Sequence, residues 1–216
     1  GDLNGSHRFA HFNPSAGFTY DIDKLGTTVY FNYAKSNRAP SPVELSCADP
    51  AIPCRVPNAF AADPPLQQVV SEGFELGLNG NIAAESLANL TPLNWSVTGF
   101  NFDNKDDIYF ISAGVGLGSG YFKNVGNTNR RGGDITLSGK LNDIKIKGNY
   151  SYIEATFQNP FQVASESHPN RVNKEISVEA GDEIPGIPQH TVKLGFSYEP
   201  LKEWLIGLDM ISRSGM

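Results

Sequence analysis

Two cysteines offer the clearest chemistry in the sequence. Cys47 and Cys54 bound the segment CADPAIPC, in which Pro50 and Pro53 favour turns. Cysteines this close together could form a local disulfide, remain free thiols or contribute to a metal site. The turn-rich segment holds no histidine, so the pattern favours the disulfide, which would form in an oxidising compartment.

Other patterns that resemble functional motifs lack residues that the chemistry needs. His7 and His11 have the i, i+4 spacing of helical metal ligands, but the segment HRFAHF is typical of a strand or a terminus and no third ligand follows. The glycines of GVGLGSG at 114–120 are not followed by the Lys-Ser/Thr pair or the helix of a phosphate-binding loop. No Gly-x-Ser-x-Gly motif and no paired carboxylates stand out. We therefore predict neither an enzyme nor a resident metal or cofactor.

The composition narrows the classes of protein that could position such residues. Of 216 residues, 39% are hydrophobic, 19% are charged and 11% are aromatic, and there are 22 glycines and 14 prolines. This balance is typical of turn-rich β structure. The net charge is −6 and no long basic cluster occurs, so we expect no nucleic-acid partner. No apolar run reaches the roughly 18 to 20 residues of a membrane-spanning helix, which excludes a helical membrane protein.

Alternation of apolar and polar residues with a period of two predicts eight strands. In the segment 69–79, for example, Phe74, Leu76 and Leu78 alternate with glycine and glutamate. The predicted strands cover 14–23, 27–35, 69–79, 94–103, 131–141, 144–155, 189–199 and 204–212.

The length and connection pattern of these strands suit a membrane. Each strand has about ten residues, and ten residues tilted by about 45° span roughly 25 Å, the apolar height of an outer-membrane barrel. Short connections alternate with long ones at 36–68, 104–130 and 156–188, which places the long loops on one side. The predicted fold is all-β, an antiparallel up-and-down transmembrane β-barrel or a segment of one. Two alternatives are a small self-contained outer-membrane barrel with a structural or adhesive role, and a soluble secreted β-domain that binds carbohydrate or protein.

Four sequence strings resemble those of TonB-dependent outer-membrane receptors, in the order of that family. They are YFNYAKSNRAPSPVEL at 30–45, SEGFELGLNG at 71–80, GYFKNVGNTNRRGGDITLSGK at 120–140 and GDEIPGIPQHTVKLGFSYEP at 181–200. The third string departs from the family pattern, because Gly132-Gly133-Asp134 stands where glycine, an apolar residue and glutamate are more usual. The resemblance covers most of the chain.

The resemblance implies that residues 1–216 form one partial barrel domain, about eight strands of a 22-stranded barrel. We identify no plug domain, signal peptide or terminal strand in the sequence, and we expect the isolated chain to form an open, curved sheet with two unpaired edges. The implied function is TonB-energised uptake of a scarce nutrient across the bacterial outer membrane, with a ferric siderophore as the leading ligand. The implied partners are outer-membrane lipid, that small molecule and the TonB complex, the last through an N-terminal region outside this sequence.

In a receptor of this type, ligand contacts come from the long loops and the upper lumen wall. Arginine and aromatic side chains there suit a ferric chelate, which they can bind by bidentate hydrogen bonds and by stacking. A second possibility is that the arginines pair with carboxylates of the protein itself. The predicted ligand-binding residues are Arg38, Tyr121, Phe122, Asn124, Arg130, Arg131, His168 and Arg171.

Overall fold

The computed structural model describes residues 6–51, 53–55, 66–82, 93–113, 119–166, 168–201 and 203–215. Its main feature is one antiparallel sheet of eight strands, here called the wall. The wall strands, in chain order, are β1 (Ser15–Ile22), β2 (Thr27–Arg38), β4 (Val69–Ile82), β5 (Leu93–Lys105), β8 (Thr128–Leu141), β9 (Ile144–Phe157), β12 (His190–Leu201) and β13 (Trp204–Arg213). The predicted all-β, up-and-down antiparallel fold is confirmed.

The remaining elements lie in the long connections between wall strands. They are one short helix, α1 (Pro42–Leu45), and the strands β3 (Cys54–Arg55), β6 (Ile108–Ser112), β7 (Ser119–Asn124), β10 (Phe161–Ala164) and β11 (Glu175–Val178). None of the helices in the described part of the chain is long and apolar enough to cross a bilayer.

Tight turns join β1 to β2 and β8 to β9 at the end opposite the long connections. Gly26 closes the β1–β2 turn in the left-handed conformation with φ 55°, which glycine adopts without a Cβ penalty. Asn142 takes the same conformation, with φ 53°, in the two-residue turn between β8 and β9. Within the described ranges, β1 and β13 are the two edges of the wall and do not pair with each other. The wall is therefore an open sheet, as expected, and not a closed eight-stranded barrel.

The two faces of the wall differ in polarity. The register sets Phe31 opposite Leu76 and Val97 opposite Ile135, all on one face, here called the outer face. Leu76, Val97 and Ile135 are exposed, Leu76 to 52%, and Phe31 is partly exposed, so these side chains form no protein core of their own. Because neighbouring residues on a strand point to opposite sides, Glu75 and its polar or small counterparts lie on the other face. This arrangement of apolar-out and polar-in is that of a barrel wall facing lipid.

The outer face becomes polar near the long connections. Lys35 Nζ lies 3.4 Å from Glu72 Oε2, and Arg131 Nη2 lies 2.7 Å from Glu154 Oε1. The Asn129 side-chain amide donates to Asp103 Oδ1 at 2.8 Å. We call this band of outer-face residues the polar collar: Lys35, Glu72, Asp103, Asn129, Arg131 and Glu154.

Most wall strands are longer than the sequence pattern predicts, up to 14 residues in β4, β8 and β9. Whereas β4 extends to Ile82 at the opposite end, the extra residues of β2, β8 and β9 lie at the end near the long connections. There β2 continues past Lys35 to Arg38, and β8 begins at Thr128 instead of Arg131. The polar collar interrupts the apolar alternation at this level, so the period of two fades while the backbone pairing continues.

The sequence pattern predicts no strands in the long connections, but the structure shows short ones there. Strands β3, β7 and β6 form a three-stranded sheet in that order, and β10 pairs with β11. Together with α1 they form a unit that we call the loop cap. Two clusters of buried apolar residues lie in the loop cap and at the adjoining ends of wall strands. They consist of Ile111, Val125, Ala155, Phe157 and Ile184, and of Ala48, Leu66, Val69 and Ile108.

Candidate functional site

The loop cap and the wall ends beneath it form the candidate functional region, because most of the predicted ligand-binding residues lie there. The β6–β7 hairpin continues the β5–β8 strand pair and is bent away from it at two left-handed residues. These are Asp106, with φ 55°, and Gly126, with φ 90°. Two backbone hydrogen bonds between Asp107 and the residues Val125 and Gly126 close the bend at 2.9 Å each.

Arg130 ties the bend to the wall. Its guanidinium donates to the Tyr109 hydroxyl oxygen at 2.9 Å, to Asp107 Oδ2 at 3.2 Å and to Thr128 Oγ1 at 3.0 Å. The hydroxyl of the fully buried Thr128 donates in turn to Asp107 Oδ2 at 2.7 Å. Burial, reinforced by the Asp107 charge and opposed by Arg130, raises the pKa of the Tyr109 hydroxyl, which therefore stays protonated at neutral pH. Arg130 thus serves the structure of the cap through a network of four side chains.

Arg38 forms a bidentate ion pair at the start of the first long connection. Its two Nη atoms donate to Glu44 Oε2 at 2.7 Å and Oε1 at 3.0 Å. The Ser41 backbone N–H donates to the same Oε2 at 2.6 Å, while Ser41 Oγ accepts from the Glu44 backbone N–H, so the two residues form a capping box for α1. This geometry explains why Arg-Ala-Pro-Ser is followed by glutamate in the string at 30–45.

The electrostatics of this ion pair are coupled. Partial burial would raise the pKa of the Glu44 carboxyl, but the hydrogen bonds from Arg38 and Ser41 and the Arg38 charge outweigh it and lower the pKa. The hydrogen bond to Glu44 and the negative charge of Glu44 raise the pKa of Arg38. Both groups are therefore charged at neutral pH and hold each other.

Cys47 and Cys54 are joined by a disulfide, and both residues are buried. Cys54 lies opposite Gly120 in the β3–β7 pair, and the Phe122 backbone N–H donates to the Cys47 carbonyl oxygen at 2.6 Å. The disulfide closes a loop within the first long connection, and the β3–β7 pairing and the Phe122 hydrogen bond join that loop to the β6–β7 hairpin of the second.

The aromatic and amide candidates on β7 are also used inside the cap. Tyr121 packs against the first apolar cluster, and Phe122 packs against the second with its ring edge-on to Phe110 at 5.2 Å. The Asn124 side-chain amide donates to the carbonyl oxygens of Gln67 at 3.1 Å and Asp106 at 2.6 Å, and its oxygen accepts from the Gln67 N–H at 2.9 Å. These three side chains hold cap segments together.

The Gly-Gly-Asp departure lies in the wall. A Cβ on Gly132 would collide with the Tyr152 carbonyl oxygen, and one on Gly133 would lie 2.8 Å from the Thr98 carbonyl oxygen. Asp134 lies on the face opposite the apolar outer residues and accepts a hydrogen bond from the Ser151 hydroxyl. The wall therefore retains a carboxylate on that face, and the two glycines allow the strands to approach closely.

The structure separates the remaining candidates. Arg131 lies in the polar collar on the outer face, where Glu154 binds it through Nε at 3.1 Å and Nη2 at 2.7 Å. His168 and Arg171 are exposed in the loop between β10 and β11. His168 lines a cavity of about 580 Å³, together with polar residues that sequence reasoning missed, Gln162, Asn170, Glu175 and Asp182 among them. The alternation of apolar and polar residues in FQVA and EISV, the sequences of β10 and β11, could have predicted the two strands that carry some of these residues.

All three wall arginines among the candidates, Arg38, Arg130 and Arg131, pair with carboxylates of the chain. This is the second of the two possibilities that the sequence left open. Within the described ranges, no cluster of three or more His, Cys, Asp or Glu residues could hold a metal ion.

Comparison with known protein families identifies the family of this chain. The profile of the family described as "TonB dependent receptor-like, beta-barrel" matches residues 1–215. The chain belongs to the TonB-dependent receptor family. Receptors of this family are transporters, not enzymes, and lie in the bacterial outer membrane. The outer face of this receptor chain therefore faces lipid, and the loop cap lies on the extracellular side, where barrels of this kind carry their long loops.

Solved structures share the fold of this receptor chain. The copper transporter OprC matches with a TM-score of 0.62 and 19% identity over 92% of this chain and 25% of that chain. The hemophore receptor HasR of Serratia marcescens, in complex with its hemophore HasA and heme, matches with a TM-score of 0.63 and 15% identity, over 94% of this chain and 32% of that chain. The siderophore receptor PirA of Acinetobacter baumannii matches with a TM-score of 0.58 and 16% identity, over 92% of this chain and 28% of that chain. The chain thus spans about a quarter to a third of these receptors. A search of curated protein sequences finds no match.

Proposed function

We propose that this chain forms part of the wall and the extracellular cap of a transporter that takes up a scarce nutrient across the outer membrane, energised by the TonB complex. We further propose that the nutrient is a ferric siderophore. Family membership supports transport, and the resemblance of four strings to TonB-dependent receptors supports the energy coupling. PirA, one of the structures with the same fold, is a siderophore receptor, which supports the choice of ligand.

The observation that carries the proposal is the organisation of the loop cap. Three connections that are distant in sequence fold into one unit, through the β3–β7 pairing and the two apolar clusters. A receptor captures a dilute ligand best with a preorganised surface, because ordering loops on binding would cost affinity. A cap built in this way is suited to capture at the outside of a transport pathway.

Uptake of labelled iron by the native host tests the proposal. The gene of the full-length protein is deleted, and uptake of ⁵⁵Fe is measured for a panel of ferric catecholates, hydroxamates and carboxylates. We expect uptake of at least one chelate to fall to background in the deletion strain and to return when the full-length gene is restored. A protonophore should abolish the restored uptake and leave cell-surface binding of the chelate intact.

Two other outcomes would correct the proposal. Unchanged uptake of all chelates with reduced uptake of copper or heme would keep transport and overturn the siderophore. Unchanged uptake of every tested nutrient under limiting conditions would overturn transport.

A further inference from the structure

The β10–β11 hairpin has an apolar face and a polar face. Phe161, Val163 and Val178 pack against the first apolar cluster of the loop cap. Gln162 and Ser177 lie opposite each other in the register, on the other face, and both are exposed or partly exposed. The polar face is the floor of the cavity of about 580 Å³ described above. A cavity of this size lies in the range of small-molecule sites.

One side of this cavity is the loop between β10 and β11, which is held by hydrogen bonds within itself. The His168 backbone N–H donates to Ser165 Oγ at 3.2 Å, and His168 Nδ1 accepts from the Asn170 backbone N–H at 3.2 Å. Two left-handed residues, Asn173 and Lys174, then turn the chain back into β11. Hydrogen bonds within the loop thus hold its shape, and the cavity is preformed.

The side chains around the cavity match hydroxyl groups. The amides of Gln162, Asn170 and Asn173 each offer a donor and an acceptor, and the carboxylates of Glu175 and Asp182 accept. Because Nδ1 of His168 accepts a hydrogen bond, its neutral ring carries the proton on Nε2, which is a further donor. A hydroxyl both donates and accepts, so it can use every member of this set.

The charge of the cavity lining disfavours an anionic ligand. Glu175 and Asp182 are its charged lining residues, and its described lining includes no lysine or arginine. Arg171 belongs to the same loop but donates from Nη1 to the His168 carbonyl oxygen at 3.2 Å. A polyanionic chelate would therefore meet two carboxylates and no lysine or arginine among the lining residues.

We infer that this cavity is a binding site for a neutral, hydroxyl-rich ligand, a mono- or oligosaccharide unit. The exposed apolar side chain of Val172 at the lining suits the C–H face of a sugar ring. The same chemistry is presented by a free saccharide and by the sugar headgroup of a glycolipid. The inference goes beyond the proposed transport of iron, because a neutral saccharide differs in chemistry from a ferric chelate.

Binding to the purified full-length receptor tests the inference. Saturation-transfer NMR and calorimetry are carried out with two probes, maltotriose and a detergent-solubilised lipid with a neutral oligosaccharide headgroup. The double variant Glu175→Gln/Asp182→Asn keeps the shapes of both side chains and removes both charges. We expect binding of at least one probe and a loss on the order of tenfold or more in the double variant, since two hydrogen bonds to charged acceptors weaken.

The matched control is Glu166→Gln, which removes one charge from the same loop outside the cavity lining. It should bind as the wild type does, and the thermal midpoints of all variants should agree. Binding of the free sugar would identify a soluble ligand, and binding of only the lipid would identify a headgroup. Absence of binding to both probes, or equal binding by the double variant, would overturn the inference. Iron uptake by the double variant is measured in parallel, so that failure of the saccharide site and failure of siderophore transport are told apart.

Discussion

Removal of the Glu44 carboxylate should open the start of the first long connection. In Glu44→Ala, α1 keeps one half of its capping box, because Ser41 Oγ still accepts from the backbone N–H of residue 44. The other half is lost, since the Ser41 N–H loses a charged acceptor at 2.6 Å, which costs about 1.5 kcal/mol. The ion pair adds only about 0.5 kcal/mol, because the Arg38 side chain is 50% exposed and its charge is screened by water. The total is about 2 kcal/mol of local opening free energy.

Amide hydrogen exchange in the full-length receptor measures this local opening. The amides of Leu45 and Ser46 donate to the carbonyl oxygens of Ser41 and Pro42 at 3.0 Å each, so they report on α1. This loss corresponds to exchange roughly 30 times faster at these positions. Glu166→Ala, an exposed glutamate in another loop, is the control and should leave α1 unchanged. Exchange in Glu44→Ala within threefold of the wild type, or an equal rise in the control, would refute the reasoning.

The pH dependence gives the same test without a mutation. The pKa of Glu44 is lowered in the folded protein, so its contribution is fully present above the ordinary glutamate pKa, about 4.3. The contribution is lost as the pH falls through the lowered pKa. After correction for intrinsic rates, protection of α1 should stay constant from neutral pH to about pH 5 and decline only at more acidic pH. A decline that begins near neutral pH would contradict this assignment.

Three further changes test the cap and the wall. Phe157→Ala, at a residue only 5% exposed in the first apolar cluster, should destabilise the cap by about 3 to 5 kcal/mol in hydrogen exchange, whereas Phe12→Ala, at a residue 82% exposed, should have little effect. Leu78→Arg on the outer face should reduce folding into lipid vesicles by up to about 2 to 4 kcal/mol, and Asn79→Arg on the other face should not; equal losses would refute the assignment of the faces. The variant Cys47→Ser/Cys54→Ser should lose about 2 to 3 kcal/mol of cap stability, measured as faster protease cleavage between positions 47 and 54. An unchanged cleavage rate would contradict a stabilising role of the disulfide.

The wall could be predicted from the sequence because its physics is local. A strand with one face in lipid and one in the lumen must alternate, and the alternation places all eight wall strands within a few residues of their observed bounds. Strands β6 and β7 escaped prediction because their apolar residues serve two clusters on different sides. In IYFIS, for example, Ile108 and Ile111 are buried in different clusters.

The roles of the candidate residues depended on information of two kinds. The partner of Arg131 could have been found by counting, because the two-residue turn at Asn142 sets Leu141 opposite Ile144 and therefore Arg131 opposite Glu154. The partners of Arg130 could not, because Asp107 reaches it only through the left-handed bend of the β6–β7 hairpin. Residue type alone does not distinguish an arginine that binds a ligand from one that stabilises a loop through an ion pair.

The polar collar sets the depth at which the chain sits in the membrane. On β9 the apolar part of the outer face runs from Ile144 to Tyr152, directly below Glu154. These eight steps span roughly 26 Å along the strand, at about 3.3 Å per residue. With a tilt of about 35–45°, the apolar band is about 19–22 Å high, which suits a thin bilayer such as the outer membrane.

The collar is then anchored at the level of the outer headgroups, where paired charges keep their water and their polar neighbours. Movement of the chain toward the periplasm would drag these ion pairs into hydrocarbon, and movement outward would expose Leu76 and its neighbours to water. The vertical position of the loop cap above the cell surface is therefore fixed by the wall, independently of which ligand the cap receives.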